Sequence, residues 1–325
     1  MPDMAQTASA ATSLHGTGSD IHTSEAFVNA LTKGLDKVWM RDFTRAEQGR
    51  KYMREESMSD ETMSYRTFRS LSGQVPVSRD ADDIPFITRG EGFGFTVQSY
   101  IHRQGIAIEK TMAEVDRIGA VRGLQRDLAK NSDLTIEKCI ADVFNRAVNP
   151  SSAPVLCDDG MYLIDSGRPN ANPMAASWSN EESASAITST SIFTAQLNAR
   201  GTTDESGEIA PQMIKKIICR PTDEKTLWEI ANSDKRPTDA SNAANFQYGK
   251  FEYEVYDFLT DAAIFYLMGD VKSEDNELFL FWRVKPEFKT WVDGSNPDIT
   301  RQRVRMAFGI AAGSPKKVWR GGEVS

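Results

Sequence analysis

The sequence is poor in the residue types that build most reactive sites. Cysteine occurs only at Cys139, Cys157 and Cys219, with no CxxC pair among 325 residues. An odd, widely spaced set excludes a disulfide framework and a cysteine-based zinc site, and predicts reduced thiols and assembly in a cytosol. Histidine is as scarce: His15, His22 and His102 share no HxH or HxxxH spacing that would hold a transition metal. Neither a GxxxxGKS/T phosphate loop nor a GxSxG nucleophile elbow occurs. No apolar run reaches transmembrane length, and the first twenty residues lack the basic and apolar regions of a signal peptide. Net positive charge is missing too. At −8 the chain is not built to wrap nucleic acid by charge, so any such contact has to come from a local patch.

What is present is a sizeable core, 40% hydrophobic, enough for one large domain or two smaller ones. Residues 1–23 are rich in Ala, Ser, Thr and Gly and bury too little to offset their ordering entropy, so they read as a mobile arm. A helix follows, with Ser24 as cap and Phe27, Val28, Leu31, Leu35, Val38 and Trp39 at helical spacing. Residues 63–109 alternate at both ends and are loop-like between: Tyr65, Phe68 and Leu71 on the way out, Phe93, Phe95 and Val97 on the way back. This predicts a long two-stranded arm. Isolated hairpins are marginal in water, and no element of the chain is left over to cover it, so a neighbouring subunit is the expected support.

Met112, Val115, Ile118, Val121, Leu124 and Leu128 continue at helical spacing to about Asn131. Ser132 or Asp133 can cap a second stretch carrying Ile136, Ile140, Val143, Phe144 and Ala147, giving one bent helix or two. Gly119 and Gly123 either admit another backbone or weaken an exposed turn. Residues 153–166 predict a short hairpin of two apolar strands about Asp158-Asp159-Gly160. After a Pro/Asn/Ser-rich loop come a weakly amphipathic helix at 184–199, a strand within 211–221, and a helix at 222–232 capped by Thr222. Three aromatic-rich strands ("FEYEVYDFL", "AIFYLMG", "LFLFWRV") and the segment "RQRVRMAFGIAAG" end the chain. Strands and helices are segregated rather than alternating, which predicts an α+β fold.

Few polar clusters suggest chemistry. Asp80, Asp82 and Asp83 are close enough to hold Mg²⁺ or Ca²⁺, but the remaining ligands of a calcium loop are absent. They read as a solvated loop, or one that pairs with a basic patch on a neighbour. The glycine-rich residues 90–94 read as a hairpin bend, since they do not open a helix after a strand. In the last long segment Val304, Met306, Phe308 and Ile310 alternate with Arg303, Arg305, Ala307 and Gly309, the pattern of a half-buried strand with its arginines on the wet face. Lys316, Lys317 and Arg320 extend that basic character. Stacking aromatics interleaved with the arginines are absent, which leaves only weak electrostatic contact with nucleic acid.

Three segments taken in order, "GFGFTVQSYIHRQGIAIEKTMAEVDR", "APVLCDDGMYLIDSGRPNANPMAASWSN" and "GSNPDITRQRVRMAFGIAAGSPKKVWRG", resemble major capsid proteins of tailed bacteriophages, closest to Mu-like major head subunits with the Hong Kong 97-type fold. The resemblance covers residues 60–320. It implies an N-terminal arm and helix at 1–62, an extended loop at 63–104, a peripheral domain with a spine helix at 105–186, an axial domain at 187–260 and peripheral return strands at 261–325. It further implies a non-enzymatic subunit of hexamers and pentamers in an icosahedral shell, without cofactor or metal. Asp80, Asp82, Asp83, Arg89, Phe93, Arg303 and Arg305 become subunit-contact candidates. The implied partners are other copies of the chain, separate scaffolding, portal and decoration proteins, and packaged double-stranded DNA through weak non-specific contact, with no membrane. The implied location is the virion, assembled in host cytoplasm. Residues 73–94 contain no lysine, so a Lys–Asn crosslink from the loop tip is not expected. Two alternatives differ in class: an encapsulin-like cellular compartment shell, and a metal-dependent hydrolase using Asp80, Asp82 and Asp83.

Overall fold

A computed structural model describes residues 48–68, 86, 90–109, 120–148, 154–170, 176–182, 186–203, 209–236, 243–261, 264–269, 277–296 and 298–322. The expected arm and helix before residue 48 lie outside these, as do the hairpin tip and Gly119. The described elements in chain order are β1 (Arg54–Ser57), β2 (Thr62–Phe68), β3 (Glu91–Gln98), β4 (Tyr100–Glu109), α1 (Ala120–Asn145), β5 (Glu181–Glu182), α2 (Ser189–Arg200), β6 (Lys216–Cys219), α3 (Glu224–Asn232), β7 (Glu252–Val255), β8 (Phe265–Met268), β9 (Leu278–Val292), β10 (Ile299–Ala312) and β11 (Val318–Gly321). They form a four-stranded sheet of order β1-β9-β10-β4, a five-stranded sheet of order β5-β11-β8-β6-β7, and the separate β2-β3 hairpin. Contacts divide the chain into two units.

The described part of the first unit falls within residues 102–133 and 286–306. Here Leu128 and Ala129 of α1 pack on Val304 of β10 together with Phe288 of β9. Beneath them the Gln125 amide donates to Gln302 Oε1 at 2.7 Å, both side chains fully buried. Gly105 lets β4 approach β10 closely, since a Cβ there would lie 3.0 Å from the Gln302 carbonyl oxygen.

The second unit holds residues 46–101, 134–285 and 307–325. In its five-stranded sheet β8 is buried on both faces, as the run Phe265-Tyr266-Leu267-Met268 requires. Phe265 and Leu267 join Ile217, Cys219 and Trp319 in a core closed by Ile192, Ala195 and Ala199 of α2 and Leu227, Ile230 and Ala231 of α3. On the opposite face Tyr266 meets Phe144 of α1 edge-on, 5.2 Å between centroids, and its hydroxyl donates to the Phe144 carbonyl. Strands β8 and β11, from the segment after residue 260, therefore share a sheet with β6 and β7 from the segment before it.

Several local expectations need correction. Helix α1 runs unbroken through Asn131–Asp133: Ser132 does not cap a new helix but returns its hydroxyl to the Leu128 carbonyl at 2.8 Å. A Cβ at Gly123 would meet nothing within 4 Å, so among the described residues no other backbone approaches there. Thr222 is no cap either. It lies inside a 3₁₀ turn at Pro221–Asp223 that leads into α3, and Asp223, the residue before that helix, makes no side-chain capping bond. The effective cap belongs to α2, where Thr188 and Ser191 exchange reciprocal bonds of 3.0 and 2.9 Å. Around Gly160 the tight turn exists, with φ +76° and Gly160 N–H donating to the Cys157 carbonyl. Its flanks are irregular loop rather than strands.

Candidate assembly surfaces and the polar networks that position them

The β2-β3 hairpin is antiparallel from Thr62↔Gln98 to Phe68↔Glu91, with a register shift between Arg66 and Phe68. The glycine-rich residues after Gly90 are part of β3 rather than a bend. Where β3 passes Tyr65 the strands come so close that a Cβ on Gly94 would lie 2.7 Å from the Tyr65 carbonyl oxygen. The hairpin base is covered by the chain itself, contrary to the expectation from sequence. Phe95 and Val97 are buried with Met58, Phe281 and Ala311. An aromatic stack runs Phe281–Tyr65–Phe95–Phe279, with centroid spacings of 5.1, 5.2 and 5.8 Å. The base is thus a rigid mount; residues 69–85, the expected contact with a neighbour, lie outside the described residues.

Of the predicted contact residues, Asp80, Asp82, Asp83 and Arg89 lie outside the described residues. Phe93 is on β3 in the second unit. It walls a shallow crevice with Asp158, Asp159, Trp178, Pro315 and Lys316. Arg303 and Arg305 are on β10 in the first unit, half-buried. They are not a free basic face: Arg303 lies 5.5 Å from the Trp291 ring and Arg305 pairs with Glu287 at 3.3 Å. Arg301, next along the strand, pairs with Asp293 at 2.7 Å. Further on, β10 is covered on both faces, because Gly309 lets Gln98 approach; a Cβ there would be 2.6 Å from its carbonyl oxygen. Ile310, expected in the core, is only half-buried. Arg320 is another correction. It does not extend a basic surface but is fully buried and paired with Glu181 at 3.3 Å.

Sequence reasoning missed the network around Arg168. This side chain is fully buried and pairs with Asp159 at 2.6 Å. Its Nε donates to Asn180 Oδ1 at 3.0 Å, Nη2 donates to the Tyr162 carbonyl, and the guanidinium lies 5.5 Å from the Trp178 ring. Asn180 Nδ2 then donates to the Leu163 and Val318 carbonyls at 2.8 and 2.9 Å. One guanidinium and one amide thereby tie an irregular loop to strand β11. The only hint in the sequence was a long Pro/Asn-rich loop, which needs internal partners for its backbone.

Beside this network Asp158 is pushed up to about 7, first by burial and then by the Glu277 and Asp159 carboxylates, against the opposing pull of Arg168. In the unfolded chain the group titrates near 3.8. Between those values the folded state binds more protons than the unfolded, so this group's contribution falls as pH rises from about 4 to about 7. Asp158→Asn should therefore be more stable than the parent at pH 8 and lose that advantage at pH 4. Urea midpoints at the two pH values check this; an unchanged difference would refute it.

A second buried carboxylate organises the start of the described chain. Glu137 accepts from Gly49 N–H at 2.6 Å and Arg50 N–H at 3.4 Å, and the Tyr256 hydroxyl donates to it. Burial pushes Glu137 up while these bonds pull it down. Only glycine fits at 49, since a Cβ would lie 2.3 Å from the Tyr256 hydroxyl oxygen. Nearby, burial acts upward on Glu254, yet Lys216, Lys51 and the Tyr52 hydroxyl together bring it to about 2. These networks lock the segment before β1 to α1 and β7. Among the described residues no group of His, Cys, Asp or Glu is arranged to hold a metal ion.

Residues 93–321 match the profile of a family described as phage capsid protein. No curated protein sequence is matched. Among solved structures the chain is similar to the procapsid of bacteriophage JBD30, at 13% identity and TM-score 0.51 over 93% of this chain and 77% of that one. It is also similar to the capsid of Ralstonia phage GP4, at 13% identity and TM-score 0.55 over 83% and 86%. A third is a virus-like particle from Pyrococcus furiosus, at 8% identity and TM-score 0.51 over 89% and 97%.

Proposed function

Because the chain belongs to the phage capsid protein family, we propose that it is the major shell subunit of an icosahedral phage head, built as hexamers and pentamers of itself. Its α+β fold is the Hong Kong 97 type, it is structural rather than enzymatic, and its place is the virion capsid. The hydrolase alternative built on Asp80, Asp82 and Asp83 is accordingly withdrawn. The single observation that carries the proposal is the family match along residues 93–321, which takes in α1, the five-stranded sheet and every strand of the four-stranded sheet except β1. A Mu-like affinity within the family is part of the proposal and rests on the quoted segments alone.

The domain anatomy carries over as a proposal: arm at 1–62, extended loop at 63–104, peripheral domain at 105–186, axial domain at 187–260 and return strands at 261–325. The rigid mount at the base of β2-β3 supports the loop assignment, since a projecting segment transmits a contact only if its root is fixed. Asp80, Asp82, Asp83, Arg89 and Phe93 are proposed to meet the neighbour there. Arg303 and Arg305, already partnered within the subunit, are proposed to contribute mainly orientation. Scaffolding, portal and decoration proteins and packaged DNA remain proposed partners.

Negative-stain electron microscopy of the full chain, purified alone and concentrated, tests the reading. Five- and six-fold rings, tubes or closed shells are expected. A subunit that stays monomeric to its solubility limit, with and without a crowding agent, would overturn it. Small shells of one fixed size that retain a host protein would favour a compartment over a virus head.

A further inference from the structure

The irregular loop that carries Asp158 has no strand ladder to hold it, so side chains must. One side is tied through Arg168, whose guanidinium is taken up by Asp159, Asn180, the Tyr162 carbonyl and the Cys157 sulfur. The other side meets the turn between β10 and β11 at the crevice that Phe93, Trp178, Ser314, Pro315 and Lys316 help to wall. Glu277, just before β9, holds that turn: its carbonyl accepts from Gly313 N–H at 2.8 Å and its carboxylate from Ser314 N–H. All these residues belong to the second unit. Carboxylates outnumber cations at the junction. Asp158 is opposed by the Glu277 carboxylate and by Asp159 in its own turn, and Arg168 is the cation that acts on it. Lys316 lines the crevice without a comparable pull, and Lys317 lies along Gly269. Ionised, Asp158 therefore adds a charge whose one nearby cation is already paired with Asp159.

We propose that the two turns form a proton-held clasp, closed while Asp158 is neutral and loosened when it ionises beside Glu277, the group that anchors Ser314. The clasp does not depend on the shell-subunit reading. In the closed form Asp158 keeps its proton up to about pH 7, because burial and the two neighbouring carboxylates oppose ionisation. A solvated carboxyl loses it near 3.8. Between those values each unit of rising pH favours the open form by up to about tenfold, and above about 7 the effect levels off. Low pH shuts the clasp and neutral pH loosens it. Because the loop has only side-chain ties, it opens locally while the five-stranded sheet stays folded. Phe93 of β3 walls the same crevice, so the loosening reaches the root of the β2-β3 hairpin.

Cys157 reports the opening. It is 3% exposed, with its thiol directed at the Tyr162 carbonyl, so a thiol reagent reaches it when the loop lifts. The test is the rate at which Cys157 of the full chain reacts with a disulfide reagent from about pH 5 to about pH 8, located by peptide mapping and divided at each pH by the rate in Asp158→Asn. The division cancels the thiol's own ionisation. The ratio should rise at least about tenfold and flatten above about pH 7. Glu277→Gln, whose amide oxygen still accepts from Ser314 N–H, should reduce that rise, since one of the two opposing carboxylates is gone. Compared directly with the parent, this second variant carries the test if Asp158→Asn does not keep the parent's circular-dichroism spectrum. A ratio that stays constant with pH would show that Asp158 does not govern the loop. An undiminished rise in Glu277→Gln would show that the turn after β10 has no part in it. Either result overturns the clasp.

Discussion

Deleting residues 73–90 should yield a folded, soluble subunit that builds no shells. The fold tolerates the cut for a specific reason. Phe68 pairs with Glu91, so after the deletion residues 69–72 remain to close the hairpin, a loop length that β-hairpins commonly use. The ladder from Thr62↔Gln98 inward and the stack of Phe281, Tyr65, Phe95 and Phe279 stay intact, and with them the mount on β9. What disappears is the segment proposed to lie across the adjacent subunit. Obligate assembly interfaces usually bury more than about 2,000 Å², and a projecting arm without a core of its own contributes to stability only through such a contact. Circular dichroism and a thermal midpoint close to the parent's, with shells absent by electron microscopy, are the expected pair of results. Normal shells from the deleted chain would sink the extended-loop assignment. An unfolded product would show instead that the base depends on the tip.

The sequence alone supports the same outcome but a different account of the hairpin base. Alternation at Tyr65, Phe95 and Val97 correctly marked a strand pair with one apolar face. It also suggested that nothing in the chain was free to cover that face. Coverage comes from Phe279 and Phe281 on β9, more than 180 residues on in sequence, and periodicity within a window carries no information about such a partner. Strand β10 was legible over Arg303–Met306, because one buried face and one wet face give a period of two; Ala307, expected on the wet face, is already buried. By Gly309 β3 covers that second face. Helix α1 was read as one helix or two, since Ser132 and Asp133 look like caps. Burial of Ile136, Ile140, Val143 and Phe144 outweighs that weak local preference for a break. The hairpin expected at 153–166 failed in the opposite way: its turn formed, but side-chain bonds to Arg168 and Asn180 replaced the ladder. Exposed apolar positions were the least legible. Phe193 and Leu197 belong to a helical pattern whose apolar positions go all round, and only the structure separates those facing the core from those facing out.

Arg168→Met should be among the most destabilising single substitutions in this chain. The wild-type guanidinium is fully buried against Asp159, whose side chain is 4% exposed. Removing it leaves a carboxylate in a poorly solvated place and takes a donor from both Asn180 Oδ1 and the Tyr162 carbonyl. Breaking a buried pair by deleting one partner costs about 3–5 kcal/mol. For a unit of this size that is a fall on the order of 10 °C in thermal midpoint. Arg66→Met provides the contrast. Arg66 pairs with Glu91 at 3.2 Å, but both side chains are more than three-quarters exposed, so the loss should stay within about 1 kcal/mol. The two pairs differ in burial and in the further bonds that Arg168 makes to Asn180 and the Tyr162 carbonyl. Adding Asp159→Asn to Arg168→Met should recover part of the stability, because the neutral amide needs no counter-ion and its oxygen still accepts from Met161 N–H. Coupling in such a double-mutant cycle distinguishes a network from a set of independent contacts. Strict additivity, or a cost for Arg168→Met no larger than for Arg66→Met, would show that the loop at 157–180 is held by its backbone turn and that the guanidinium is incidental.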